Sequence, residues 1–129
     1  MSKLRKSLAA LALLAVASPA AHAYEFFTPV SQAQDGTPVY CVIVNVGTAP
    51  AAVSAAVQQV ADGSDITSTN TCSPSPYPLA PGTACIAYTS QVGAHTGYCH
   101  FTSSSTKVRG DLVIFDANGD VRVTIPATR

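Results

Sequence analysis

The sequence predicts an all-β fold: an antiparallel β-sandwich of about seven strands that carries two disulfides and follows a cleaved signal peptide. Three observations lead to this prediction. Glycine turns and prolines recur at short, fairly even intervals, which is typical of sandwiches and barrels. The segments between them are rich in valine, isoleucine, tyrosine and threonine, which favour strands. All four cysteines follow an N-terminal segment that is organised like a secretory signal.

That segment has the three parts of a signal peptide. A positive cluster comes first, made of Lys3, Arg5 and Lys6. An uncharged run of leucine, alanine and valine follows over 8–17, and the small residues Ala21 and Ala23 flank His22 as a signal peptidase requires. The run is about half as long as the roughly 20 apolar residues of a transmembrane helix. We therefore expect cleavage after Ala23, with 1–23 as signal peptide and 24–129 as one domain.

The exported part divides into strand-like runs, each bounded by turn residues. A first strand is expected in 24–29, with Phe26 or Phe27 buried; the alternative is a mobile aromatic tail with exposed rings. The other runs cover 38–46, 51–60, 83–90, 97–102, 107–115 and 121–125. The last two are joined by Asn118-Gly119, a pair that suits a tight turn. Val121, Val123 and Ile125 alternate with polar residues, so the C-terminal end is predicted to be a β-hairpin.

The run 51–60 fits two structures. Thr48 and Pro50 suit the start of a helix, and Val53, Val57 and Val60 lie at helical spacing. The same residues also alternate as a strand does, with Ala51, Val53, Ala55 and Val57 on one side. We predict a strand because the surrounding chain is β and Asp62-Gly63 suits a hairpin connection.

The charge of the exported part excludes two classes of function. Four lysine and arginine residues stand against seven aspartate and glutamate residues, a formal net charge of −3. Binding to nucleic acid depends on clustered positive charge, and so does attachment to anionic lipid. The four positive residues are scattered, so we predict no nucleic-acid partner and no electrostatic attachment to membranes. We also predict no transmembrane segment in the mature chain.

The four cysteines are predicted to form two disulfides. An even number of cysteines in an exported chain is typical of disulfide bonding, and it indicates a periplasmic or secreted protein. The alternative, a four-thiolate zinc site, favours two close cysteine pairs, which this spacing does not provide. Among the three possible pairings we predict Cys41–Cys99, which joins an early to a late strand, and Cys72–Cys85, which closes a proline-rich turn.

Several segments together resemble small exported bacterial proteins of uncharacterised function with an immunoglobulin-like β-sandwich. The resemblance covers most of the mature chain and lies in the sequences Tyr40-Cys41-Val42-Ile43-Val44-Asn45-Val46, Pro78-Leu79-Ala80-Pro81-Gly82, Tyr98-Cys99-His100-Phe101, Val108-Arg109-Gly110 and Ile125-Pro126-Ala127. It implies an immunoglobulin-like antiparallel sandwich in which one disulfide links the two sheets. These motifs are structural and imply no known chemistry.

Two patterns suggest metal sites, and we predict neither. The acidic loop that starts at Asp116 and ends at Asp120 begins like a calcium loop, but the positions where an EF-hand needs glycine and glutamate hold Val121 and Ala127. Cys99 and His100, with His95 nearby, resemble part of a copper site. Such a site needs a free thiolate, whereas Cys99 is expected in a disulfide and His100 would point away from it. We expect no cofactor.

We also predict that the protein is not an enzyme. Ser103, Ser104 and Ser105 offer nucleophiles and His95 or His100 a base, but no motif places them in a catalytic arrangement. The serines fit a polar loop better. Loops 80–83, 93–97 and 103–106 are candidate locations of a binding site, and exposed aromatics of 24–29 are a candidate partner surface.

The function that these observations favour is non-catalytic binding. We expect an interaction protein of the cell envelope or secretome that contacts another envelope or extracellular protein or a surface ligand. The partner's identity and the oligomeric state stay open at this point. The alternatives are a structural envelope component that assembles through sheet edges and a small extracytoplasmic hydrolase.

Overall fold

The computed structural model describes residues 23–32, 38–89, 96–116 and 118–129. Within them the fold is all-β, as predicted, and contains no helix, so no helix there is suited to crossing a membrane. The predicted signal peptide lies outside the described residues, except for Ala23, which is exposed just before the first strand. The strands are β1 Tyr24–Phe27, β2 Ser31–Gln32, β3 Val39–Asn45, β4 Ala51–Gln59, β5 Thr69–Asn70, β6 Tyr77–Leu79, β7 Ala84–Thr89, β8 Thr96–Ser103, β9 Val108–Phe115 and β10 Val121–Pro126.

The strands form two antiparallel sheets. One has the order β1-β8-β4-β6, with β2 also paired to β8, and we call it the β8 sheet. The other has the order β10-β9-β3-β7-β5, and we call it the β3 sheet. Buried residues alternate with more exposed ones along β3, β4, β7, β8 and β9. This alternation gives each sheet one face toward a shared core and one outer face.

Residues 51–60 confirm the strand prediction over the helix alternative. β4 runs over nine residues and pairs with β8. Ala51, Val53, Ala55 and Val57 are all buried, while the intervening side chains are not. Val60, which a helix would place with Val53 and Val57, is 43% exposed.

The core between the sheets is crossed by one disulfide and flanked by a second. Cys41 of β3 bonds to Cys99 of β8, so this bond joins the two sheets at a Cα–Cα distance of 5.5 Å. Cys72, just after β5, bonds to Cys85 of β7. These are the pairs that the sequence predicts. Cys41 and Cys99 are fully buried among the largest core side chains, which include Phe101, Ile43, Leu79 and Leu112.

The number of strands is higher than the predicted seven. The seven expected strands are present, and β2, β5 and β6 are additional. Each of these has only two or three residues, too few to produce a recognisable alternation. β6 also lies partly inside the proline-rich segment that the sequence assigned to a turn. Proline is tolerated there because Pro78 belongs to an edge strand, where a missing N–H disrupts no inner ladder.

The C-terminal hairpin is present as predicted. Gly119 has a positive φ of 84° and donates its N–H to the carbonyl of Asp116. Asp116 Oδ1 accepts hydrogen bonds from the backbone amides of Asn118 and Asp120. A bulge between Val121 and Val123 follows. The acidic residue thus stabilises the turn through its side chain, an arrangement common for aspartate in turns.

The first strand closes the sandwich on one side. Phe26 is buried and stacks on Phe101 at 5.4 Å, whereas Phe27 is 42% exposed. Phe27 exchanges two backbone hydrogen bonds with Thr128, which follows β10 in the other sheet. Buried Thr28 accepts the amide hydrogen of Cys99 on its Oγ1 at 2.9 Å. The prediction of a first strand with one buried phenylalanine is therefore confirmed.

Gly110 leaves no room for a side chain. A Cβ atom at this position would lie 2.8 Å from two ring carbons of Phe101 and 3.0 Å from the ring of Phe26. Overfilling a packed core costs about 2 kcal/mol, so we expect Gly110→Ala to lower the free energy of unfolding by about that amount in a urea titration. Combined with Phe101→Leu, it should show a coupling of about 1 kcal/mol. Strictly additive losses would contradict the steric explanation.

Candidate interaction surface

The outer face of the β3 sheet carries a group of apolar side chains. Inward residues of β3, β7 and β9 fill the core, so the residues between them point to the outside. We call the resulting surface the aromatic face. It consists of Tyr40, Val42, Val44, Ile86, Tyr88, Val113 and Phe115.

Three rings form the centre of the aromatic face. Tyr40 lies opposite Tyr88 on β7 and opposite Val113 on β9. Its ring stacks on Tyr88 at 4.9 Å and meets the edge of Phe115 at 5.0 Å with an interplanar angle of 85°. Both geometries are favourable for aromatic pairs. The seven side chains are half-buried, which leaves part of each accessible from outside.

This outer face differs from that of an ordinary sandwich. Outward positions of a sandwich strand are normally polar, and a strand that is apolar on both sides is typical of a sheet covered on both faces. Yet the three central strands β3, β7 and β9 contain just two charged residues, Arg109 and Asp111. The outer face of these three strands is therefore unusually apolar.

The outer face of the β8 sheet is more polar. Phe27 stacks on His100 at 4.6 Å, and His100 Nδ1 lies 3.3 Å from Gln58 Nε2. The other ring nitrogen, Nε2, is buried without a hydrogen bond and lies 3.9 Å from Glu25 Oε1. Two aromatics of 24–29 are exposed: Phe27, which belongs to this surface, and Tyr24, which lies beneath the guanidinium of Arg129.

The structure separates the residues of the rejected copper site. Cys99 is bonded to Cys41 in the core, and His100 points to the opposite face of the same strand. His95 lies outside the described residues. Among the residues that are described, no group of three or more histidine, cysteine, aspartate and glutamate side chains is placed to hold a metal.

The predicted polar loop begins one residue later than expected, because Ser103 is the buried last residue of β8 and only Ser104 and Ser105 follow it in the loop. Ser103 Oγ accepts the amide hydrogen of Ser105, and Ser105 Oγ accepts that of Lys107. Ser104 Oγ accepts the amide hydrogen of Ala52. Ser103 is buried on the inner side of β8, whereas His100 is on the outer side, so these two are not brought together.

The remaining candidate loops carry turns. In loop 80–83, Thr83 Oγ1 donates to the carbonyl of Ala80. Most of loop 93–97 lies outside the described residues. Exposed Asp62 lies in the turn after β4. The side chain of Ser64 and, to a smaller extent, its backbone N–H donate hydrogen bonds that lower the pKa of Asp62. These contacts account for local structure and bring no reactive groups together.

A groove of about 480 Å³ opens beside the C-terminal residues. Apolar Phe26 and Val108 line it together with Arg109, Asp111 and Arg129. The Arg129 guanidinium donates to the carbonyl of Thr106 at 3.1 Å and lies 5.3 Å above the ring of Tyr24. The side chain of Arg129 thus contributes to closing this edge of the sandwich.

Comparison with known proteins found no matching family model, no matching curated protein and no matching solved structure. The candidate surface therefore rests on geometry alone. Sequence reasoning did not identify it, although a signal was present. The run from Val39 to Val44 is apolar at every position, and so is the run from Leu112 to Phe115. Runs without alternation indicate strands whose two faces are both apolar.

Proposed function

We propose that the protein is an exported, non-catalytic interaction protein of the cell envelope or secretome, and that it binds another protein through the aromatic face. The observation that carries this proposal is the cluster of Tyr40, Tyr88 and Phe115 on a solvent-facing sheet. Protein interfaces are enriched in tyrosine and phenylalanine and depleted of charge at their centre. The aromatic face has both properties.

Export is part of the proposal. Two disulfides are typical of proteins that fold in an oxidising compartment. Together with the N-terminal segment 1–23, read as a signal peptide cleaved after Ala23, they support a periplasmic or secreted location.

We further infer that the sandwich is a variant of the immunoglobulin arrangement. In that fold, strands A-B-E-D face strands G-F-C, and a disulfide joins B to F. Here β3, β7 and β5 correspond to B, E and D, and β8 and β4 correspond to F and C. β9 then lies where A is expected and β1 where G is expected. The ends of the chain have exchanged places, while the disulfide-bonded centre is retained.

Three of the four edge strands, β5, β6 and β10, favour binding through a face over assembly through edges. β5 has two residues, and β6 has three with Pro78 in the middle. The backbone N–H of Ala127, just after β10, bonds to β9, and the alternate residues before it have their backbone groups on the same side. The backbone groups of Thr124 and Pro126 therefore point to the free edge. Pro126 has no N–H to offer, and a bulge disrupts the other end. Short strands, prolines and bulges are the features that prevent edge pairing.

The test is capture of a partner by cross-linking in intact cells. We compare the wild-type protein with Ile86→Lys, in the aromatic face, and with the control Ala56→Lys, in the outer face of the other sheet. Both positions are half-buried strand residues. A buried lysine charge should reduce cross-linked partner at least about tenfold in the first variant and leave it unchanged in the control.

Circular dichroism and thermal unfolding establish that both variants are folded. Equal capture by Ile86→Lys and wild type, with both proteins folded, would contradict binding through the aromatic face. Activity of the wild-type protein in a broad ester, peptide and glycoside screen would contradict the non-catalytic assignment.

A further inference from the structure

We propose that the aromatic face binds a second copy of this chain, in a face-to-face dimer related by a two-fold axis. This inference rests on the proposed function, because it uses the same surface and specifies what occupies it. Three features of the surface support it: the register of the strands, the arrangement of its two charges and its area.

The register allows the surface to pair with itself. Ile43 lies level with Gly110 on β9 and with Cys85 on β7. Consider a two-fold axis that runs between two facing sheets and crosses the strands at this level. This axis places each strand opposite the same strand of the other copy and reverses its direction. An outward residue one position before the axis therefore faces the residue one position after it in the other copy, as an isologous interface requires. Val42 faces the second copy's Val44, so the interface is apolar on both sides at β3, next to the axis.

The same axis pairs the two charges of the face. Arg109 and Asp111 are outward residues on either side of Gly110, so Arg109 of each copy faces Asp111 of the other. Within the described residues neither side chain forms an ion pair or a hydrogen bond. Both are therefore available, and the dimer contains the opposite-charge contact twice. If the axis ran along β9 instead, the facing strands would be parallel. Arg109 would then face Arg109 of the other copy and Asp111 would face Asp111, so like charges would meet.

The area matches that of a weak dimer. The strands β9, β3 and β7 at the usual spacing span about 14 Å, and seven residues along β9 span about 24 Å. The flat area is then about 350 Å² per copy and about 700 Å² in total, below the range for stable interfaces and within that of weak, transient contacts. We therefore expect a dimer that dissociates on dilution.

The test is sedimentation velocity of the oxidised, exported protein over a wide concentration range. Wild type should show a reversible monomer–dimer equilibrium. Arg109→Asp and Asp111→Arg should each raise the dissociation constant at least about tenfold, because each places like charges together twice. The double variant R109D/D111R reverses both charges and should return the constant to within about threefold of wild type.

Arg122→Asp, at the bulge of β10, makes the same charge change outside these paired positions and should leave the dimer intact. Thermal unfolding checks that every variant is folded. A wild type that stays monomeric at all concentrations would overturn the second-copy inference, as would a double variant no better than the single ones. If the monomer still captures a partner in an Ile86-dependent way, the proposed function stands while this inference fails.

Discussion

Replacing both Cys41 and Cys99 by alanine is expected to destabilise the protein by about 4 kcal/mol, because the bond between them closes a loop of 58 residues in the unfolded chain. It is also the covalent link between the two sheets. A domain of this size is stable by only about 5–15 kcal/mol, so the double variant should lose between about a quarter and four fifths of its stability. Guanidinium titration followed by circular dichroism measures the loss.

The control is the double alanine variant of Cys72 and Cys85. That bond closes a loop of 13 residues and joins the chain just after β5 to β7, and the same relation gives about 3 kcal/mol. The order of the two variants is therefore part of the prediction. A loss below about 1 kcal/mol for the variant without Cys41 and Cys99 would show that packing alone holds the sheets together.

Asn45→Ala is expected to cost about 3 kcal/mol, because it leaves one buried and two partly buried backbone groups without their partners. The Asn45 side chain is fully buried at the end of β3. Its Nδ2 donates to the carbonyls of Ala49 and Leu79 at 2.8 and 2.9 Å, and its Oδ1 accepts the amide hydrogen of Gly47 at 2.9 Å. These bonds tie the β3–β4 connection to β6. Urea unfolding of the oxidised protein measures the effect.

Asn118→Ala provides the matched control, since Asn118 is exposed in the last hairpin. A surface substitution of this kind usually changes stability by less than about 0.5 kcal/mol. Similar losses for the two asparagine variants would mean that the hydrogen bonds of Asn45 are replaced by water. That result would remove Asn45 from the residues that hold the two sheets in place.

The sequence is most informative where one physical pattern dominates. The alternation of Ala51, Val53, Ala55 and Val57 fitted a strand but left a helix open, and the β-rich surroundings together with Asp62-Gly63 decided for the strand that is observed. Cysteine spacing indicated the pairing because one pair spans two distant strands and the other flanks a turn. The short strands β2, β5 and β6 were not predicted. Two or three residues show no periodicity, and their pairing depends on neighbours distant in the chain.

The aromatic face could not be assembled from the sequence for a related reason. Tyr40, Tyr88 and Phe115 lie far apart along the chain, and they meet only when β7 and β9 flank β3 in the observed register. A shift of one residue in either pairing would turn the partner's side chains to the other face. The apolar runs indicate that both sides of these strands are apolar, but the side that faces outward depends on the register.

The most direct test of the central proposal is tyrosine footprinting, in which the labelling of each tyrosine is compared between the native envelope fraction and dilute purified protein. Tyr40 and Tyr88 lie in the aromatic face, and Tyr98 lies on the outer face of the β8 sheet with comparable, intermediate exposure. Binding through the aromatic face predicts that Tyr40 and Tyr88 lose most of their labelling in the native fraction while Tyr98 keeps its own. Equal labelling of all three in both samples, or protection of Tyr98 alone, would contradict it.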